Sequence, residues 1–187
     1  MRRLMTLCVM LFSVLLLTGC GGGKNIYLVS PTPLKKEVSK YYIKDLNVLL
    51  EEGGAAKNPE NKTFLDQKQL NDQFMGYLNK ALEKKEILGN SSDFALSIRI
   101  NYERFYHLGG NALMKPIISH SYKVYDKNSD TVLVSDAQNR YTTKYGYLEE
   151  VVVSTKILAM QWDAENEPKD VEMIANLLIE DISRLGE

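Results

Sequence analysis

Asp126, Asn128 and Asp130 offer oxygen donors at the one-three-five spacing of a calcium loop. An EF-hand loop also needs glycine at its sixth place and glutamate at its twelfth, and those places hold Thr131 and Ala137. Asp, Asn and Ser are common turn residues, so a turn is the expected structure here. His107 and His120 are the only histidines, and neither has a second ligand within the next four residues, so no zinc site is indicated. His120 alternates in phase with Ile118, Tyr122 and Val124 and reads as a strand residue. Its neighbour Ser119 projects to the opposite face, so the adjacency makes no nucleophile–base pair. No Gly-x-Ser-x-Gly elbow, His-Glu-x-x-His motif or phosphate loop is present. Glu149, Glu150, Asp163, Glu165 and Glu167 read as solvated carboxylates. The expectation is a protein without catalytic residue, metal or cofactor.

Tyrosine is the one enriched side chain, eleven against one Trp and five Phe. Tyrosines suit strands and sheet edges. They also suit contact surfaces, where a flat apolar body carries a polar tip. Tyr102, Tyr106, Tyr122 and Tyr125 are therefore the candidate partner surface, and an edge strand could add a partner's strand.

One cysteine has a chemistry of its own. Arg2 and Arg3 precede an apolar run from Leu4 to Leu17, too short to span a bilayer. A positive start, an apolar middle and a small-residue exit describe an export signal. The exit Leu17-Thr18-Gly19-Cys20 resembles the lipobox of bacterial lipoproteins. That resemblance implies cleavage after residue 19, a thioether-linked diacylglycerol on Cys20 and a further acyl chain on the new amino terminus. Two or more acyl chains anchor a protein stably, whereas one does so marginally. Lipoproteins held at the inner membrane of enterobacteria usually carry aspartate after the lipidated cysteine. Gly21 stands there, so the resemblance implies the outer membrane, with the domain facing the periplasm.

The rest of the composition agrees. Cys8 leaves with the signal and Cys20 carries lipid, so the folded part has neither thiol nor disulfide and must stand on its core. Without Arg2 and Arg3, 21 basic residues face 24 acidic ones, a formal −3. Nucleic acid is not an expected partner, and electrostatic binding to anionic lipid is not an expected second anchor.

These residues must be held by a domain. Residues 20–40 contain glycines, Pro31, Pro33 and lysines and read as a tether of roughly 25 Å as a coil; Ile26 to Val29 could form a short edge strand. Residues 41–187 read as a single domain. Tyr41 to Glu51 alternates as a first strand, and glycines with Asn58-Pro59 break it. Leu70, Phe74, Tyr77, Leu78, Ala81 and Leu82 mark a helix that Thr63 or Asp66 can cap and Gly89-Asn90 can end. Phe94 to Glu103 alternates strictly, a half-buried strand. Ile117 to Tyr125 and Thr131 to Tyr141 form a hairpin around residues 126–130. Leu148, Val152, Thr155, Ala159 and Trp162 fit one face of a helix, although Val151-Val152-Val153 also suits a strand. Pro168 opens a last helix with a stripe of Val171, Ile174, Leu178, Ile182 and Leu185. The expected fold is α+β, two-layered, a mainly antiparallel sheet with helices on one face in the order strand-helix-strand-hairpin-helix.

Lipobox, short tether and this element order resemble small outer-membrane lipoproteins, including the domain of peptidoglycan-synthase activators and the amino-terminal domain of the periplasmic Tol translocation protein. The resemblance implies a non-catalytic binding or assembly module for an envelope protein complex. Residues 21–40 are short for a linker that must cross the cell wall, which favours a partner at the membrane. Ile26-Tyr27-Leu28 soon after the cysteine is also similar to the start of auxiliary lipoproteins of lipid-transport systems. That alternative implies an acyl ligand in an apolar pocket between sheet and helices.

Overall fold

The computed structural model describes residues 25–53, 64–107 and 112–186. Cys20 and Gly109-Gly110 lie outside the described residues, as does the His107 side chain. The elements in chain order are β1 (Ile26–Tyr27), β2 (Tyr41–Gly53), α1 (Gln67–Lys84), β3 (Phe94–His107), β4 (Ala112–Leu113), β5 (Ile117–Tyr125), β6 (Val132–Thr142), α2 (Tyr147–Leu158) and α3 (Glu167–Ser183). The sheet runs β1-β6-β5-β3-β2, with β4 paired to the end of β3. Only β2 and β3 are parallel. They are joined through α1, because a parallel neighbour requires a crossover. The fold is the expected α+β, with a mixed, mostly antiparallel sheet.

Alternation decides which face is covered. The even-numbered residues of β3 from Leu96 to Tyr106 are buried, in register with Ile118, Tyr122 and Val124 of β5. The stripe of α1 (Leu70, Phe74, Leu78, Leu82) and that of α3 (Val171, Ile174, Leu178, Ile182) meet them, and this one cluster fills the layer between sheet and helices. Helix α1 begins with a capping box: the Gln69 N–H donates to Asp66 Oδ1 at 2.8 Å, and the Asp66 N–H to Gln69 Oε1 at 3.0 Å. Such a box satisfies two orphan donors reciprocally.

The outer edge of β2 is closed by side chains of α1. The Leu50 N–H donates to Gln67 Oε1 at 2.8 Å, the Gln67 amide N–H to the Val48 carbonyl, and the Val48 N–H to Asn71 Oδ1 at 3.2 Å. These carboxamides stand where a further strand would bond, one of the ways an edge is blunted.

The segment read as a tether is largely part of the domain. Ile26 and Tyr27 pair with Ser135 and Val134 of β6. Leu34 is buried in the main cluster, and the Glu37 N–H donates to the Ser183 carbonyl at 2.8 Å. The Tyr122 hydroxyl donates to Asn25 Oδ1 at 2.6 Å. Prolines and lysines suggested a linker, but the apolar residues between them are enough to dock it. Val151 to Val153 are helical, and α2 has its own smaller core of Val153 and Ile157 against Tyr106, Leu113, Tyr145 and Trp162.

Candidate functional site

The tyrosines divide by strand phase. Tyr102, Tyr106 and Tyr122 are 0%, 2% and 1% exposed and belong to the two cores, so they are not a partner surface. Burial raises their phenols, that of Tyr106 to about 12. Tyr125 alone of the four reaches the surface, on the open side of the sheet, with the Lys44 ammonium 5.3 Å above its ring.

That open side is polar. Asp45 and Asn47 of β2, Ser97 and Arg99 of β3, and Ser121, Lys123 and Tyr125 of β5 line a shallow dish of about 210 Å³. Ser97 Oγ donates to Asp45 Oδ2 and Asn101 Nδ2 to Ser119 Oγ, both at 3.3 Å. Arg99 and Lys123 stand exposed among these small side chains. The dish opens on the polar side of the sheet and presents these groups there.

The remaining sequence candidates serve the fold. The Asp126 carboxylate accepts from the Asn128 N–H and the Ser129 hydroxyl, both at 3.3 Å, and Asp130 pairs with Lys44 at 2.8 Å. These are turn contacts. His120 is 6% exposed. Its Nδ1 lies 2.9 Å from the Tyr141 hydroxyl, and burial pushes the imidazole down to about 4, so the ring is neutral. Glu150 is held by Lys115 and by the Tyr145 N–H. Among the described residues no three His, Cys, Asp or Glu side chains gather as a metal site.

One buried acid departs from expectation, and for a second, Asp170, the sequence raised none. Glu167, read as solvated, is 0% exposed and takes a two-pronged grip from Arg104, Nε to Oε1 at 2.8 Å and Nη2 to Oε2 at 3.0 Å. Arg104 Nη2 also donates to the Leu65 carbonyl at 2.9 Å, and its guanidinium lies 4.9 Å from the centre of the Phe64 ring. Asp170 accepts from Thr143 and Tyr145 at 2.7 Å each and from the Trp162 indole at 3.4 Å. Burial pushes its carboxyl above the usual range, and those donors oppose the shift. The signal lay in the phase. Arg104 continues the buried even-numbered series of β3, and Glu167 and Asp170 precede Val171 and Ile174 on the same helical stripe.

A different surface is apolar. On α2, Tyr147, Leu148 and Leu158 are 86%, 79% and 80% exposed, and Val151 and Val152 are exposed beside them. No described helix is long and apolar enough to cross a membrane.

No family model and no curated protein sequence matches the chain. Among solved structures it is similar to a PelC dodecamer subunit from Paraburkholderia phytofirmans, 13% identical over 77% of this chain and 100% of that one, with a TM-score of 0.39. It is also similar to protein XCC0632 from Xanthomonas campestris, 12% identical over 76% of this chain and 85% of that one, TM-score 0.40. A third is a putative neuraminyllactose-binding hemagglutinin homolog from Helicobacter pylori, 12% identical over 80% and 83%, TM-score 0.34. These are loose likenesses of shape.

Proposed function

We propose that the chain is an outer-membrane lipoprotein, anchored through Cys20, whose domain is a non-catalytic docking module for an envelope protein complex. The observation that carries this reading is where the polar groups lie. Of the buried charged side chains, Arg104, Glu167 and Asp170 are consumed by internal partners, and Asp136 on β6 keeps a buried Oδ1 without a hydrogen bond. The free ones, Arg99 and Lys123 with Tyr125, are spread over an open sheet face that suits a broad polar contact and not a cleft. The finer likeness to synthase activators rests on element order alone. The acyl-carrier alternative needs an enclosed apolar cavity between sheet and helices; the packed cluster there speaks against it, and the hollow of about 560 Å³ between β2 and α1, at Leu46, Val48 and Gln67, is open to solvent.

The test is photo-crosslinking in intact cells from probes placed at Arg99 and Lys123, with a Cys20→Ser control and mass spectrometry of the products. One dominant envelope protein, lost in the control, supports the reading. Co-purifying lipid with no protein adduct moves the acyl-ligand alternative to first place.

A further inference from the structure

We infer that the outward face of α2 rests on the phospholipid bilayer to which Cys20 holds the domain, so that the protein lies on its membrane by a helix as well as by acyl chains. This rests on the lipoprotein reading above.

The helix has two apolar sides and only one core. Val153 and Ile157 face the smaller core. At 3.6 residues per turn, Tyr147, Leu148, Val151, Val152, Thr155 and Leu158 fall within one arc of about 140° on the opposite side. The polar member hides its polarity: the Thr155 hydroxyl donates to the Val151 carbonyl at 2.8 Å. Single exposed apolar residues are ordinary, but an unbroken apolar face on one helix marks a surface that something covers. Tyr147, at its end, suits the boundary between headgroups and water.

The course of the chain says what covers it. Strand β1 runs antiparallel to β6, Ile26 opposite Ser135 and Tyr27 opposite Val134. Traced backward, β1 thus points, at Asn25, toward Thr142, the end of β6 from which Gly146 leads into α2. Ser135 to Thr142 covers about 23 Å of strand. The six residues from Ile26 back to Cys20 span about 21 Å at most, whatever their conformation. Along the strand this falls about 2 Å short of Thr142, so Cys20 and α2 share one bilayer surface when the strands lean toward the membrane plane. The turn at residues 126–130 is also within reach, but it carries Asp126, Lys127 and Asp130, which belong in water. Among the described residues Leu28, Val38 and Leu88 are also exposed toward the turn end, but only α2 sets its exposed apolar residues side by side on one helix. Its rim holds one acid and one base, Glu149 and Lys156, so the contact is apolar and insensitive to salt, in keeping with the acidic domain.

The experiment uses the full acylated protein purified from membranes and returned to phosphatidylethanolamine–phosphatidylglycerol vesicles. With Cys20 acylated, Leu148→Cys provides a single thiol for an environment-sensitive fluorophore. Ser91→Cys, in the exposed turn at the opposite end of β3, provides the reference. Both sites are exposed, so neither change disturbs the core. The label at 148 should shift to the blue and lose intensity to spin-labelled lipid, in low and high salt alike, while the label at 91 does neither. Adding Leu158→Asp should return the 148 label toward water. If both labels stay in water while the protein floats with vesicles, the inference fails and the anchor reading stands. A blue shift that needs concentrated protein and no vesicles overturns it in favour of a second copy on α2. Unmodified Cys20 with no flotation removes the lipoprotein reading itself.

Discussion

Glu167→Gln tests how far the fold depends on its buried ion pair. Arg104 is 2% and Glu167 0% exposed, and two parallel hydrogen bonds join them at 2.8 and 3.0 Å. Removing the carboxylate charge leaves a guanidinium with the Leu65 carbonyl and with Glu52, which is half-exposed and 3.8 Å away. Breaking a buried pair from one side costs about 3–5 kcal/mol, because the surviving charge is stranded. Glu167 also opens α3, where a negative charge favours the helix by about 0.5 kcal/mol. Against a domain stability of about 5–15 kcal/mol this is a large loss. With a urea slope of about 2 kcal/mol/M, the midpoint should fall by roughly 1.5–2.5 M. The double variant Arg104→Met with Glu167→Met strands neither charge and should unfold within about 1 kcal/mol of wild type. Denaturation followed by Trp162 fluorescence in wild type, Arg104→Met, Glu167→Met and the double variant closes the cycle, with Glu167→Gln measured beside them. A single-variant loss under about 1 kcal/mol, or singles that simply add in the double, would refute the assignment of this pair as a mutually dependent buried unit.

His120 should make the domain acid-sensitive. Its native imidazole titrates near 4 while the unfolded chain takes up its proton near 6.5, so stability falls as pH drops through that interval. The loss is about 2 kcal/mol by pH 5 and about 3 kcal/mol by pH 4; urea midpoints against pH should show it, and His120→Gln should remove that part of the slope. Asp66→Ala deletes the capping box of α1 and should cost about 1 kcal/mol, read by thermal denaturation, with Asp66→Asn largely restoring it. Gly186 sits at φ +105°, and a β-carbon there would meet the Leu34 carbonyl at 2.4 Å. Gly186→Ala should therefore loosen the docked residues 25–40, seen as faster amide exchange at Glu37, whose N–H bonds Ser183.

Much of the fold was legible because it is written in periods. The helix at Leu70 to Leu82 and the strand at Phe94 to Glu103 announce themselves through spacing alone, and Asp66 marks its cap. The parallel pairing of β2 with β3 was not legible. Both strands alternate as they would in an antiparallel pair, and only the crossover through α1 requires the other sense. Residues 25–40 were misread for a local reason. Pro31, Pro33 and three lysines dominate the composition, whereas docking depends on Leu34, Tyr27 and a few backbone groups whose partners lie on β6 and α3.

The surface was harder to read than the core, and for one reason. Composition identified the tyrosines as unusual, but the phase of their strands decides which side they occupy. Tyr102, Tyr106 and Tyr122 share the even-numbered series that faces the helices, while Tyr125 is odd-numbered and emerges on the other side by plain alternation. The same rule applied to α2 reads in the opposite direction. Leu148 and Val152, taken at sequence level as the buried stripe, are exposed, and Val153 and Ile157 are buried. A helix apolar on nearly all sides gives no internal signal of which side the fold will claim. The choice here was made by Trp162, Tyr145 and Leu113, which together bury only one side. The unclaimed side is apolar by sequence and exposed by geometry, and it lies at the Thr142 end of the sheet. A surface charge on that side, as in Leu158→Asp, should leave the urea midpoint within about 0.5 kcal/mol of wild type. Its effect should fall on membrane contact alone, which separates a face kept for a partner from one kept for the core.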